Sequence, residues 1–434
     1  MLDMTWIRDN EDTVRRTVEW KKINLDVSEL LEADERRRRL RQETEARRAE
    51  RNTLSKEVER LLRADKAEAG EAAKQQVRAV NAELGTLEAA LEETEQRWRG
   101  LMLQVPNPVS ADTPMGRDDT DNVELRRVGE PPAFDFAASD HVELGERLGL
   151  LDLARGVKIG GPRSYVLKDA GLRLHLAVQQ LALDVLAERG FTLLDVPVMV
   201  RPEALERTGF FPAGRDQTYE LADENRWLAG TSEASLVSYY SDEIVNLEEG
   251  PLKLAGISAC YRREVGSAGR DVRGLYRVHQ FAKVEQVVLC DADSSERMLQ
   301  EITANAEHLL RLLELPYRVV AVCAGDMAAK THKQYDIETW MPSREAYGET
   351  HSASNLLDYQ ARRSNIRYRD ADGRLHFCHT LNNTAVATPR ILIPLLENHQ
   401  QEDGSVRIPQ ALRKYMGGAE RISAPLTGGN IEPR

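Results

Sequence analysis

The chain of 434 residues is long enough for two or three domains, and a hydrophobic fraction of 41% supports a real core. A formal net charge of −12 excludes whole-protein attraction to nucleic acid, so any such contact needs a local basic patch. The four cysteines, Cys260, Cys290, Cys323 and Cys378, stand singly, which suggests neither a zinc site nor a disulfide framework but reduced buried thiols in a cytoplasmic protein. Residues 1–10 lack the apolar core of a secretory signal. No apolar run approaches the roughly 20 residues of a membrane span, so no membrane partner is expected.

Residues from about 27 to 103 are rich in Glu, Arg, Ala and Leu and contain no proline. Val77, Val80, Leu84, Leu87, Leu91, Trp98 and Leu101 recur at three- and four-residue steps, and Leu30, Leu40, Leu54, Val58 and Leu61 form a looser stripe before them. Gly70, within the stretch from Ala64 to Ala73, marks a candidate turn, so the pattern predicts an antiparallel helical hairpin. Helices of roughly 30 residues would project about 45 Å. The pattern suits a dimerisation coiled coil as well as an RNA-binding arm. Arg36 to Arg39, with Arg41, Arg47, Arg48 and Arg51, favour RNA, and neighbouring glutamates offset them.

Pro106, Pro108, Pro114, Pro131 and Pro132 mark a linker. The division is 1–108 for the first domain, 109–127 for the linker and 128–434 for the second domain. Leu174, Val178, Leu181, Val185 and Leu186 have helical spacing within 172–189. Residues 193–200 read as a strand whose Pro197 confines it to an edge or interface. Later strands fall at 317–322, 366–369 and 375–379, and a last helix at 391–399 follows Pro389. Strands in succession without regular βαβ alternation predict an α+β fold, an antiparallel sheet flanked by helices. Neither a Walker loop nor a dinucleotide fingerprint is present.

Residues 261–285, YRREVGSAGRDVRGLYRVHQFAKVE, place Arg262, Arg263, Arg270, Arg273 and Arg277 in one segment broken by Gly266, Gly269 and Gly274. Apolar residues flank it on both sides, so it reads as a hairpin built around a polyanion. Guanidinium groups grip phosphates in a bidentate geometry that lysines cannot match. The segment from Tyr261 to Glu264 resembles motif 2 of the class II aminoacyl-tRNA synthetases. Its continuation is similar to the seryl-tRNA synthetases in particular, and the resemblance runs over almost the whole chain.

The resemblance implies a homodimer that joins L-serine to ATP as seryl-adenylate and then to tRNA-Ser, with tRNA-Sec as a second acceptor. Residues 172–200 resemble motif 1, the dimer interface. The N-terminal arm would hold the long variable arm of the tRNA, which decides between the two readings of the hairpin. Arg262 would hold the α-phosphate, Glu264 would accept from the adenine amino group, and Phe281 would stack on the base. Arg277 would reach the distal phosphates, with Arg263 and Val278 in the same ATP site. Residues 335–355 resemble the segment that holds magnesium through Glu349 and Ser352, with Thr350 and His351 between them beside ATP. No zinc is expected. Residues 380–400 resemble motif 3, with Arg390 facing Phe281 across the adenine. The serine pocket would use Thr231, Ser232, Glu233, Arg262, Glu285, Asn382 and Thr384.

Motif 3 departs from the common bacterial form. Asn383-Thr384-Ala385 replaces a Gly-Ser-Gly triplet, and Pro389-Arg390 replaces Gly-Arg; Thr384 can still supply the hydroxyl, and Pro389 suits the first turn of a helix. The departure, with Gly160-Gly161 and Ala328, motivates a second reading, a duplicate synthetase serving antibiotic biosynthesis or resistance. A third is a non-catalytic RNA-binding paralogue, against which Arg262, Glu264, Glu285, Glu349 and Arg390 all argue. His279, His332, His351 and His379 read as structural, because a carboxylate nucleophile needs no general base.

Overall fold

The computed structural model describes residues 1–266 and 273–424. Contacts divide the chain into two units, Leu2–Val105 and Pro106–Arg434 together with Met1. Arg270 and Gly269 lie outside the described residues. Among the described residues, no helix is long and apolar enough to cross a membrane.

In the first unit, helix α1 (Val27–Arg63) opens on Asp26, whose carboxylate accepts from the Ser28 amide, and α2 (Ala67–Met102) returns beside it. Cross-pairs Glu29–Arg97, Arg41–Glu95 and Arg48–Glu88 establish the antiparallel register. Leu30, Leu40, Ala73, Val80 and Leu84 are buried in the seam. Val77, Leu87, Leu91 and Leu101 are only half-buried, whereas Thr94 and Met102 are buried. The turn lies within the expected 64–73 stretch but at Ala64 to Lys66 rather than at Gly70, and Asp65 there has a positive φ of 57°. Gly70 sits inside α2 and lets the helices approach, since a Cβ there would stand 3.1 Å from Leu62 Cδ2. At the base, the buried Asp34 carboxylate draws in Arg8, Arg37 and Arg38, and Arg37 also lies 3.9 Å over the Trp98 ring.

The second unit is built on a sheet of strands β1 (Val123–Val128), β2 (Thr192–Asp195), β3 (Leu252–Tyr261), β4 (Gln280–Cys290), β5 (Tyr317–Ala321), β6 (Lys333–Met341), β7 (Ala346–Asn355) and β8 (His379–Thr388). Their order is β1-β5-β6-β7-β8-β4-β3-β2, antiparallel throughout except where β2 joins β3. Helices α3 (Asp169–Glu188) and α5 (Ser295–Leu312) cover the sheet, with α4 (Glu233–Ser238) between them in the chain and α6 (Leu392–Asn398) near its end. Leu174, Val178 and Leu181 of α3 and Met298, Ile302 and Leu309 of α5 pack with Val284, Val288, Ile337 and Leu381 into one core. The arrangement is the α+β fold expected, a mainly antiparallel sheet flanked by helices in one unit and a long helical hairpin in the other.

Two local expectations change. The strand read across 193–200 breaks after Asp195, and Met199–Val200 pairs with Trp227 and Leu228 instead. Pro197 lies in the gap, because it has no N–H for a ladder. Pro389 precedes α6 rather than opening it, and its carbonyl accepts from the Leu392 amide in the turn leading into the helix.

Candidate functional site

Strands β3 and β4 pair in continuous register, Gln280 opposite Tyr261 and Glu285 opposite Gly256. With a period of two, Phe281, Lys283 and Glu285 share one face of β4. On its other side β4 meets β8 through a bulge at Val284/Glu285, which brings Thr384 opposite Glu285 and Asn382 opposite Val287. Thr384 and Asn382 therefore face the same way. Asn383 faces the other way and donates to the Ile302 carbonyl of α5 at 2.7 Å. Asn383 thus serves the core side of the sheet.

Two adjoining cavities open above these strands, and Arg262, Glu264 and Arg277 line both. The first, about 510 Å³, is also lined by Phe210, Gln217, Gly230 and Thr231. Phe281, Lys283, Glu349, Thr350, Thr384 and Arg390 line the second, with Val278 at its wall. The Arg262 guanidinium lies 5.2 Å over the Phe281 ring, and its Nε donates to the Gly230 carbonyl at 3.3 Å. Arg277 Nη1 meets Glu264 Oε2 at 3.3 Å. Arg390 stacks on Tyr276 at 4.5 Å, donates from Nε to the Tyr276 carbonyl and approaches Glu349 Oε2 to 3.7 Å.

Beneath the cavities lie buried charges. Lys283 Nζ meets Glu285 Oε2 at 2.5 Å, and Thr384 Oγ1 donates to the same oxygen at 3.5 Å. Burial pushes the Glu285 carboxyl above its usual range, and Lys283 opposes that shift. Glu233 Oε1 accepts from Lys330 Nζ at 2.6 Å and Gln360 Nε2 at 2.7 Å. Its amide takes Thr231 Oγ1 as acceptor at the start of α4. Helix α4 lies close to β3 because residue 256 is glycine: a Cβ there would stand 2.9 Å from Ser232 Oγ and Leu236 Cδ1.

Not every expected residue faces the cavities. Arg263 turns to the opposite side of the chain and lines a separate cleft with Arg215, Tyr219 and Trp227. Ser232 Oγ donates to the Gly256 carbonyl, so it serves the helix–sheet contact. His351 is buried, with Nδ1 bonded to Thr350 Oγ1 at 2.8 Å and Nε2 3.1 Å from the Ala385 carbonyl, and burial lowers its pKa to about 4. Lys283, Lys330, Tyr276 and Gln360 were absent from the expectations. Alternation along β4 contains the signal for Lys283. Lys330 and Gln360 reach Glu233 from 97 and 127 residues away, beyond any local pattern.

The magnesium reading can be tested on the donor set. Strand β7 carries an extra residue between Glu349, opposite Glu338, and His351, opposite Ile337. That bulge puts Ser352, opposite Asp336, on the same face as Glu349. Asp336 is half-buried beside them and bonded to Gln334 and Ser352; desolvation, then the Glu349 charge, raises its pKa well above the carboxylate range. Oxygen donors on one face, backed by a carboxyl short of positive charge, fit a hard divalent cation.

Residues 218–399 match the tRNA synthetase class II core domain (G, H, P, S and T), and residues 1–109 match the seryl-tRNA synthetase N-terminal domain. The chain is 48% identical over 428 residues to the serine–tRNA ligase of Deinococcus radiodurans, covering 98% of this chain and 100% of that one. The seryl-tRNA synthetase of Pyrococcus horikoshii complexed with ATP superposes with a TM-score of 0.89 at 37% identity, over 98% of this chain and 100% of that one. A cytoplasmic serine–tRNA ligase of Naegleria fowleri in complex with AMP gives a TM-score of 0.83 at 28% identity, over 98% and 99%.

Proposed function

The chain belongs to the seryl-tRNA synthetase family, and from that premise we propose that its two cavities form one site for making seryl-adenylate from L-serine and ATP. The protein is a class II aminoacyl-tRNA synthetase, a serine–tRNA ligase. The observation that carries the site reading is Arg262, which lines both cavities. A guanidinium there meets the α-phosphate, where charge grows as the serine carboxylate attacks and pyrophosphate leaves in line. The 3′ hydroxyl oxygen of tRNA then attacks the carbonyl carbon of the mixed anhydride, forming the ester as the bond from that carbon to the phosphate oxygen breaks and AMP leaves.

ATP lies in the second cavity, its adenine between Phe281 and Arg390. Glu264 and Arg277 exchange their 3.3 Å pair for the adenine amino group and the distal phosphates, respectively. The side chains of Arg263 and His351 take no part in this reading. Glu349 and Ser352 would hold magnesium, which neutralises phosphate charge when bound. Serine's ammonium and hydroxyl go to Glu285, Thr231 and Thr384, with Asn382 on the same face. Glu233, fixed by Lys330 and Gln360, supports Thr231. Alanine has no hydroxyl to donate to the buried Glu285 carboxylate, so one hydrogen bond that serine makes there is lost, which disfavours that analogue.

The hairpin serves tRNA-Ser. Arg36 and Arg39 are exposed and form no ion pair among the described residues. A homodimer is supported by exposed Leu172 and Leu176 on α3 and exposed Leu193 on the edge strand β2. The buried free thiols suit a cytoplasmic location. ATP–pyrophosphate exchange across a panel of amino acids tests the proposal: serine should drive it. Absence of serine-dependent exchange by folded protein contradicts the reading.

A further inference from the structure

The returning limb of the loop between β3 and β4 carries Tyr276 and Arg277 into the second cavity. It is held by a residue far away in the chain. His141 opens the short helix His141–Arg147, with its ring buried. Nε2 accepts from the Leu275 amide at 3.2 Å. An amide can only donate, so Nε2 is unprotonated and Nδ1 carries the hydrogen. Nδ1 lies 2.8 Å from Glu397 Oε1 at the end of α6.

Glu397 is fully buried and also accepts from the His141 amide, the Ser343 amide and Ser343 Oγ. Four donors hold one carboxylate, and that carboxylate sets the imidazole tautomer. The neighbouring Asp140 meets Arg273 at 3.1 Å on the same limb. Gly274 packs on the ring at a φ of +84°, and a Cβ there would stand 2.2 Å from His141 Nε2. Beyond Leu275, the Tyr276 carbonyl takes Arg390 Nε, and Arg277 meets Glu264. One imidazole and the carboxylate behind it therefore join α6, the turn at Ser343 and the returning limb of the β3–β4 loop.

We propose that His141, held in its Nδ1–H form by Glu397, is a positioning residue that seats Leu275 and thereby places Tyr276 and Arg277 for ATP. The inference rests on the ATP assignment above and adds a residue to it that touches no substrate. Two substitutions separate the ring's two bonds. In His141→Asn the amide nitrogen takes the place of Nδ1, keeping the Glu397 bond and leaving Leu275 without its acceptor. In His141→Gln the side-chain oxygen reaches the place of Nε2, keeping the Leu275 bond and leaving Glu397 one donor short.

ATP affinity, measured by titration calorimetry on the full-length protein, and the melting temperature are the paired readouts. His141→Asn should weaken ATP binding about fivefold to tenfold, the worth of one buried hydrogen bond, with a small fall in melting temperature. His141→Gln should melt lower yet bind ATP within about twofold of wild type. Wild-type ATP affinity in His141→Asn, or equal weakening in both variants, would overturn the proposal. In exchange assays the KM for ATP should follow the binding data, with the KM for serine unchanged. Wild-type protein that binds ATP without serine-dependent exchange would refute the functional reading, while the calorimetry would still decide the role of His141.

Discussion

On the helical hairpin, Arg48 meets Glu88 at 2.7 Å with both side chains about half exposed (52% and 44%). Under the cavities, Lys283 meets Glu285 at 2.5 Å with both nearly sealed (8% and 2%). The residue chemistry is alike and the energetics are opposite. Water screens the exposed pair, which is worth about 0.2–1 kcal/mol. Removing one member of a buried pair strands the other in low dielectric and costs about 3–5 kcal/mol. The hairpin is therefore held by its apolar seam and can turn its arginines toward an external polyanion at little cost. The buried charges of the second unit are fixed before substrate arrives, which suits selection of a small zwitterion.

That contrast can be broken or sharpened by substitution. Arg262→Ala should have the largest effect. Serine-dependent pyrophosphate exchange should fall about 100- to 1000-fold, ~2.7–4 kcal/mol, because the guanidinium meets charge that grows in the transition state. Exchange within about twofold of wild type would remove Arg262 from the reaction centre.

His351 gives the next effect, on stability. Its folded pKa of about 4 lies below the ordinary histidine value of 6.5. As pH falls through that window, the unfolded chain binds a proton that the folded protein refuses. The stability that neutral His351 contributes is complete above pH 6.5 and is lost on the way down to about 4. His351→Gln should shrink the difference in unfolding free energy between pH 7 and pH 4 by about 3 kcal/mol, read by denaturant titration. An unchanged pH dependence would show that the imidazole titrates normally.

Glu285→Gln should weaken serine use by about 1.5–3 kcal/mol, seen as a raised KM for serine at saturating Mg-ATP and poorer rejection of alanine. An unchanged KM with unchanged alanine rejection would move the specificity pocket elsewhere. Arg48→Ala should be the mildest, lowering stability by less than about 1 kcal/mol in chemical denaturation. A loss of several kcal/mol would mean that the hairpin depends on its surface charges after all.

The legible and illegible parts of the sequence divide along the same physical line. Local periodicity was enough for α1, α2 and α3, whose apolar residues recur at helical steps, and for the β3–β4 hairpin, whose apolar flanks bracket the arginines. It located the turn within 64–73 but assigned it to Gly70, since glycine serves close packing as readily as a turn. Alternation on β4 sets Lys283 on the face of Glu285, a signal that the sequence does carry. The bulge that puts Glu349 and Ser352 on one face was invisible, because bulges follow from pairing with a particular neighbour. So was the His141–Glu397 contact, which joins residues 256 apart. Long-range polar contacts leave no periodic trace.

The division of labour between hairpin and cavities is tested most directly by shortening the arm. Arg41 and Glu95 face each other across the hairpin at 2.5 Å, so residues 42–92 can be excised and the ends joined by a short Gly/Ser linker, keeping the Asp34 cluster at the base. Both steps are then measured on the same folded protein, serine-dependent pyrophosphate exchange and serine transfer to tRNA-Ser. Exchange should stay near the wild-type rate while tRNA charging falls sharply. Normal charging by the shortened protein, or loss of exchange together with charging, would contradict that division.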